Sequence, residues 1–448
     1  MINFLINHSP LLYFTQSIWR DEAFSILVAQ RPISFILQNL NFEPPVYYLL
    51  LHWWIRVFGT SEIAARSLSL LGFTLATIVV INWSEKLFGK HWLSWVTPIL
   101  FVSNPMLIYY AFEIRTYGWY IFFATLSLFA YSQSRWRLWI AATILGFYTH
   151  TYFLFLFAAE CVHWLALHRA KLKKPLGLLR QPMVASSILV ASAMLPWLIR
   201  VAKEADALKQ SWYFPVNLNL VMSVLGNMYL GYEGTPWYLW GLTANLSLLL
   251  LLVFFFAVSK KGTRARNTIF IFNVFVPLAI VIGVSFIKPL FVNRYLLGVT
   301  IAEVFLVAFA IESIKNHLVQ KLFALCTLLF ALGFNVWYPS QHAKLNIRAT
   351  MQEVNAFKGK DDVILAQSPL ILFETMYYAG DSSRVFLYNP HEVPFPWYVG
   401  GILVTQNQMA ASLPVYPTRA FLVAEDGSFT ITYRAPVSKI AQKTTKGR

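Results

Sequence analysis

"WLSWVTPILFVSNPMLIYYAFEIRTYGWYIFFATLSLFAYSQSRWR", residues 92–137, contains two long apolar runs, 92–112 and 116–133. A short polar stretch at Glu113 and Arg115 separates them, and Arg135 and Arg137 close the second. Each run approaches the roughly 20 residues a helix needs to cross the hydrocarbon of a bilayer. Working outward, the same alternation recurs at 64–83, 137–150, 152–167, 183–200, 237–258, 268–287, 295–312 and 321–338, which makes about ten expected spans. Composition agrees with a polytopic α-helical membrane protein. The 448 residues are 57% apolar and 12% charged, where soluble proteins carry about 25% charged residues.

The formal net charge of +16 is distributed by connection rather than by patch. Lys86 and Lys90, Arg135 and Arg137, Arg169 with Lys171, Lys173, Lys174 and Arg180, Lys260 with Lys261, Arg264 and Arg266, and Lys315 with Lys321 occupy every second connection. By the positive-inside rule these face the cytoplasm, and the charge reads as topology and contact with anionic membrane lipids rather than nucleic-acid binding. The alternate connections, expected to face outward, hold Asp21, Glu22, Glu43, Glu113, Arg115, His150, Lys288 and Arg294. Chemistry is therefore expected on the extracytoplasmic face of the cytoplasmic membrane. Cys161 and Cys326 lie in apolar runs without metal or redox spacing and read as packing residues.

Residues 1–18 lack the basic start of a cleavable signal peptide, and by the charge alternation the N-terminus starts outside. Pro44 and Pro45 suit a helix's first turn, and the stretch after them, with Tyr47, Leu50, Trp54 and Phe58 at helical spacing and Gly59 at its end, is expected to form an amphipathic interfacial helix. Residues 1–340 are thus assigned to a membrane domain with an outer loop at 16–62, and 341–448 to a small extracytoplasmic α/β domain. In that domain Asp361–Ala366, Arg384–Tyr388, Ile402–Thr405, Ala420–Ala424 and Ser428–Tyr433 read as strands, and Ser368–Ala379 as a helix.

No P-loop, dinucleotide fingerprint or D-x-D occurs, so no nucleotide cofactor is expected and any group donor is activated in another way. Paired carboxylates at Asp21 and Glu22 could supply a general base, and rim arginines could hold a phosphate. Equally, Asp21 and Glu22 could be a solvated loop end paired with Arg20, Glu113 and Arg115 a structural pair, and His150 a boundary residue. Glu160 and Glu303 fall inside apolar runs, where an acid is either functional or a neutral hydrogen-bonded packing group.

The motifs "SIWRDEAFS", "EPPVYYLLLHWWIRVFGTSEIAARSLSLL", "LFGKHW" and "NPMLIYYAFEIRTYGWY", in that order over 17–133, resemble the bacterial membrane glycosyltransferases related to protein O-mannosyltransferases and the lipid A aminoarabinose transferase. "FYTHTYFLFLFAAE" and "NRYLLG" agree more weakly. The resemblance implies a GT-C fold and transfer of a sugar from a polyprenyl-phosphate donor to a lipid, glycan or protein acceptor outside the membrane, with inversion. It places the catalytic acids on Asp21, as base, and Glu22. It assigns Glu113, Arg115, Arg294 and Tyr295 to substrate binding, Arg115 and Arg294 to the carrier phosphate, and Glu43 with the "PPVYY" helix to the cavity wall; Tyr47, Tyr117 and His150 complete the expected binding set. Metal dependence, including a divalent cation, is left open. The family's first transmembrane helix precedes the acidic loop, and only a tail, "LLYFTQS", matches it here. A lipid-linked-glycan flippase and a glycan polymerase or ligase are the alternatives.

Overall fold

Burial of apolar surface alone does not orient helices in lipid, so close backbone approach and satisfied polar groups set the packing. The computed structural model describes residues 2–40, 42–169, 181–204, 216–231 and 237–436. Lys171, Lys173, Lys174 and Arg180, expected in one basic connection, lie outside them. The chain divides into two units, one of Met1–Phe14 with Ile33–His342 and one of Thr15–Pro32 with Ala343–Arg448.

The first unit is helical. Among the described residues, six of its helices are long and apolar enough to cross a membrane: Glu62–Phe88, Pro182–Lys203, Trp240–Ser259, Arg264–Ser285, Asn293–Ser313 and His317–Gln341. Shorter apolar helices run over Leu93–Ser103, Trp136–Phe147, Phe153–Leu167 and Leu218–Leu230, and Tyr117–Ser132 matches the run expected at 116–133. The chain is a multi-pass membrane protein. Two features depart from the sequence reading. The run at 92–112 is broken, because Asn104 leaves the helix, accepts the N–H of Leu107 at 3.0 Å and starts a new helix at Pro105. Leu218–Leu230, which was not among the expected spans, is an apolar helix.

The helix after the double proline runs Val46–Phe58, close to expectation, but its buried face is Tyr47, Tyr48, Leu51, His52 and Ile55. Phe58, counted in the expected apolar stripe, is exposed with Trp53 and Val57.

Glu62–Phe88 and Tyr117–Ser132 cross with their backbones in contact. A Cβ on Gly118 would lie 2.2 Å from the Ser69 carbonyl oxygen, and one on Gly72 would lie 2.8 Å from Gly118. This crossing fixes the turn just before Tyr117, whose Arg115 carbonyl accepts the Ser69 hydroxyl at 3.2 Å. At one end of the unit the basic connections gather. Arg266 pairs with Glu312 and donates to the Leu87 carbonyl at 3.2 Å, while Lys86 and Arg135 both lie over the Phe129 ring.

The second unit is an α/β layer with strand order β3-β2-β1-β4-β5. Its strands are β1 (Val363–Ala366), β2 (Val385–Tyr388), β3 (Met409–Ala410), β4 (Ala420–Val423) and β5 (Phe429–Thr432). β1 is parallel to β2 and β4, β3 is parallel to β2, and β5 closes the sheet antiparallel to β4. Four of the five expected strands form, and the helix is Leu372–Tyr378. Residues 402–405 are not a strand: Gly401–Leu403 is a short 3-10 turn, and the short edge strand lies at Met409–Ala410. The apolar run read as a strand there is a loop following Gly400, whose φ of +117° favours glycine.

The unit also takes in Thr15–Pro32, part of the 16–62 stretch assigned to the membrane domain, while its later part begins at Ala343, beside the assigned boundary at 340. Arg348 donates to the Thr15 carbonyl at 2.8 Å, Tyr378 accepts the Ile18 N–H at 2.9 Å, and Lys344 sits 4.1 Å over the Trp19 ring. The Arg20–Ala29 helix packs on Leu372–Tyr378, with Phe24 and Phe373 rings 5.7 Å apart.

The Gly72/Gly118 crossing leaves no room for a methyl group. Gly118→Ala is expected to lower stability by about 1–3 kcal/mol, read as a fall in thermal midpoint in detergent, whereas Gly333→Ala, with open space at its Cβ, is expected to leave the midpoint unchanged or raised. Equal midpoints for the two variants would count against this packing.

Candidate functional site

The turn between Pro105–Ala111 and Tyr117–Ser132 breaks the helical ladder at Phe112–Thr116 and carries Glu113 and Arg115 on a bend. Arg115 is buried, and an isolated guanidinium there would be costly. It is held by an ion pair of 2.5 Å from Nη2 to Glu43 Oε1, with Tyr48 Oη 3.4 Å from Nη1. Glu43 precedes the double proline, so the helix Val46–Phe58 supplies Tyr48 directly. Tyr47, on the same helix, meets the Ser69 hydroxyl at 3.3 Å and so supports the Arg115 turn from behind. Glu113 is buried, and its charge acts on Tyr109 and Tyr110.

The second arginine comes from a short 3-10 turn, Asn293–Leu296, at the start of a span. Arg294 is buried, and its guanidinium lies 5.3 Å over the Tyr295 ring. Arg115 and Arg294 both act electrostatically on Tyr117 and on His150. His150, in the turn between Trp136–Phe147 and Phe153–Leu167, lies 4.9 Å from Tyr295, 5.3 Å from Tyr120, 5.7 Å from Tyr152 and 6.0 Å from Tyr117 by ring centroids. Burial, and then the charges of Arg115 and Arg294, push its imidazole down to about 3. It is neutral at physiological pH, and positive charge in this cluster resides on the two guanidiniums.

Two buried polar atoms of the cluster, the Tyr117 hydroxyl and Glu43 Oε2, have no hydrogen-bond partner among the described residues. Buried polar groups are normally satisfied, so donor and acceptor capacity remains for a polar ligand beside the arginines. The structure thus unites Glu43, Glu113, Arg115, Tyr117, His150, Arg294 and Tyr295 in one unit. Sequence reasoning missed Tyr48, Tyr120 and Tyr152, because tyrosines in an aromatic-rich chain carry no spacing signal.

Asp21 and Glu22 belong to the other unit, in the first turn of Arg20–Ala29, where carboxylates complement the helix dipole. Asp21 Oδ1 takes Arg20 Nε at 2.9 Å, and both side chains remain partly exposed. Glu22 is buried, and its Oε2 accepts the Trp19 N–H at 3.4 Å, a capping contact. Asp21 therefore remains accessible while Glu22 closes the helix start.

Of the intramembrane acids, Glu160 is served by neutral donors, Trp139 Nε1 at 2.7 Å and Ser127 Oγ at 3.0 Å, which is a packing arrangement. Glu303 is buried with neither carboxyl oxygen partnered among the described residues. Among the described residues no three His, Cys, Asp or Glu side chains group as a metal site. A cavity of about 430 Å³, lined by Tyr131, Trp136, His163, His168 and Arg266 among others, lies at the basic end and shares no residue with the arginine cluster. Its wall runs up to Gln181, next to residues outside the described set, so the arginine cluster, with its charge and convergent donors, is the stronger candidate.

No family model matches the chain, and no curated protein matches it. Solved structures do. The crystal structure of ArnT from Cupriavidus metallidurans in the apo state aligns over 94% of this chain and 92% of its own with a TM-score of 0.59 at 12% identity. The same protein bound to undecaprenyl phosphate aligns over the same shares with a TM-score of 0.61 at 13% identity. The chain has the GT-C type fold that these structures share, as the motif order implied.

His150 gives the cluster a pH signature. Its folded value lies below the ordinary 6.5, so the stability it permits is complete above that value and is lost as pH falls from 6.5 toward 3. The thermal midpoint of the native protein is expected to drop on acidification from about pH 7 to about pH 4.5 by more than that of His150→Phe, which keeps a ring but takes no proton. Parallel drops would remove His150 as the titrating group.

Proposed function

We propose that the chain is an integral-membrane glycosyltransferase that takes a sugar from a polyprenyl-phosphate donor and attaches it to a hydroxyl of a lipid, glycan or protein acceptor on the outer face of the cytoplasmic membrane. The carrying observation is the pair of buried guanidiniums, Arg115 and Arg294, around a neutral His150 and the unpartnered Tyr117 hydroxyl. Two buried cations that act on the same tyrosine and imidazole suit a phosphate, which arginine binds in forked geometry. The likeness in fold to ArnT, solved with undecaprenyl phosphate bound, supports a polyprenyl carrier as the source of that phosphate.

In this reading Arg115 and Arg294 hold the carrier phosphate and stabilise the charge it gains as the bond from its oxygen to the anomeric carbon breaks. Tyr117 donates to a phosphate oxygen. Glu43 keeps Arg115 oriented, and Glu113 and Tyr295 line the same cluster. Asp21 is read as the base that takes the proton of the acceptor hydroxyl, and the transfer as inverting. Glu22, occupied with the Trp19 N–H, fixes the helix that presents Asp21. A flippase for a lipid-linked glycan is disfavoured by Glu160, which is spent on Trp139 and Ser127.

Purified protein given a radiolabelled polyprenyl-phosphate sugar and candidate acceptors is expected to transfer label. Asp21→Asn is expected to lower kcat by about 10²–10⁴-fold with an unchanged thermal midpoint. Arg115→Gln and Arg294→Gln are expected to weaken carrier binding. Retention of full activity by Asp21→Asn would remove Asp21 as the base, and lipid movement in vesicles without transfer would favour the flippase.

A further inference from the structure

The cavity at the basic end of the first unit, about 430 Å³ in volume, has the size of a small-ligand site. Among the described residues, five helix ends meet around it. Tyr117–Ser132 and Phe153–Leu167 finish there, and Trp136–Phe147, Pro182–Lys203 and Arg264–Ser285 begin there. Trp136, Pro182, Met183, Ala265 and Arg266 thus line it from the first turns of three helices. The first N–H groups of a helix have no partner within it, and its N-terminus carries partial positive charge, so three such ends around one space favour an anion. The two C-termini oppose this less, because their last carbonyls are already engaged. Phe129 accepts the Ser132 hydroxyl at 2.8 Å, Ala130 the Arg135 N–H at 2.8 Å, Tyr131 the Ser134 N–H at 3.0 Å and Leu165 the His168 N–H at 3.2 Å.

No carboxylate lines the cavity among the described residues, and Arg266 is its cation. The Arg266 guanidinium is held by Glu312, by Asn267 Oδ1 at 2.8 Å and by the Leu87 carbonyl at 3.2 Å. Those three contacts do not use all five of its N–H groups. The His168 ring stacks on Trp164 with centroids 4.4 Å apart and Nδ1 on the Trp164 carbonyl at 2.9 Å, which leaves Nε2 over. His163, by contrast, is occupied on both sides, by Tyr131 at 2.9 Å and Thr268 at 3.3 Å, and shapes the wall. The same wall borders lipid: Leu167, which lines the cavity, is exposed, as are Leu165, Ile188 and Leu189 on the helices that flank it.

We propose that this cavity binds the phosphate-bearing headgroup of an anionic glycerophospholipid. The phosphate sits among the three helix N-termini and Arg266, and the acyl chains leave along the exposed apolar faces of Phe153–Leu167 and Pro182–Lys203. By the positive-inside rule this end meets the cytoplasmic leaflet, whose anionic lipids are drawn to basic pockets between membrane helices. The site shares no residue with the arginine cluster, so it stands or falls apart from the proposed reaction.

The test titrates the full-length protein in a non-ionic detergent with phosphatidylglycerol and follows the thermal midpoint, which rises when a ligand binds the folded state. Wild type is expected to rise with phosphatidylglycerol and to respond much less to equal concentrations of phosphatidylcholine or of sn-glycerol 3-phosphate. Ala265→Asp and Ser134→Asp each set a carboxylate in the wall. Aspartate suits the first turn of a helix, and it tolerates the φ of +53° at Ser134. Both variants are expected to keep the wild-type midpoint in detergent alone and to need about tenfold more phosphatidylglycerol for half the rise. Gly241→Asp places the same charge in the first turn of Trp240–Ser259, where there is open space away from the cavity, and is expected to stay within about twofold of wild type. An equal rise with phosphatidylcholine, a full rise with sn-glycerol 3-phosphate, or a loss of response in Gly241→Asp as large as in the wall variants overturns the proposal. The two wall variants lie on different connections, so if one fails to fold the other decides.

Discussion

A guanidinium removed from water must be given its counter-charge and its hydrogen bonds, and in an apolar helical unit only a few positions provide them. Arg115 obtains them from Glu43, on the chain before a double proline, and from Tyr48, on the helix the prolines begin. That requirement fixes the height at which Val46–Phe58 meets the bundle. It also explains the Gly72/Gly118 contact, since the turn bearing Arg115 reaches Ser69 only if the two helices touch backbone to backbone. The aromatic ring set around His150 follows from the same geometry, with Tyr117 immediately after the turn and Tyr295 immediately after the second arginine.

The charge economy of this region differs from that of a solvated patch. Burial, and then the charges of the two arginines, leave the His150 imidazole without a proton, so it adds no third positive charge. Recognition of an anion then rests on groups that do not titrate near neutrality. The acids are divided in character too: Glu43 is an ion-pair partner, Glu113 a buried charge acting on Tyr109 and Tyr110, Glu22 a helix cap, and Asp21 a carboxylate with an exposed edge.

Much of this was legible in the sequence wherever one physical signal dominated. Long apolar runs and the alternation of basic connections gave the polytopic class and the gathering of Lys86, Arg135 and Arg266 at one end. The residues of the arginine cluster were legible because a charged side chain at the edge of an apolar run has few harmless explanations. Competing signals hid the rest. Asn104 and Pro105 split a run whose hydropathy was uniform. Residues 402–405 have strand composition but follow a glycine in a conformation that turns the chain. Tyr48 gave no local sign, because its importance comes from a partner distant in sequence, and the assignment of Thr15–Pro32 to the sheet-bearing unit was hidden for the same reason.

That assignment has a consequence for how the protein is made. The Arg20–Ala29 helix is synthesised long before its packing partner Leu372–Tyr378. Domains usually fold in the order in which they leave the ribosome, N-terminal parts first. Here the early helix cannot complete its packing until the entire membrane unit has been threaded and the late segment has followed, so the contact order of this unit is high even though its sheet is small. Interruption of synthesis between the two would leave the acidic turn without the surface that orders it, and the carboxylate would acquire its environment only after the late helix has been made.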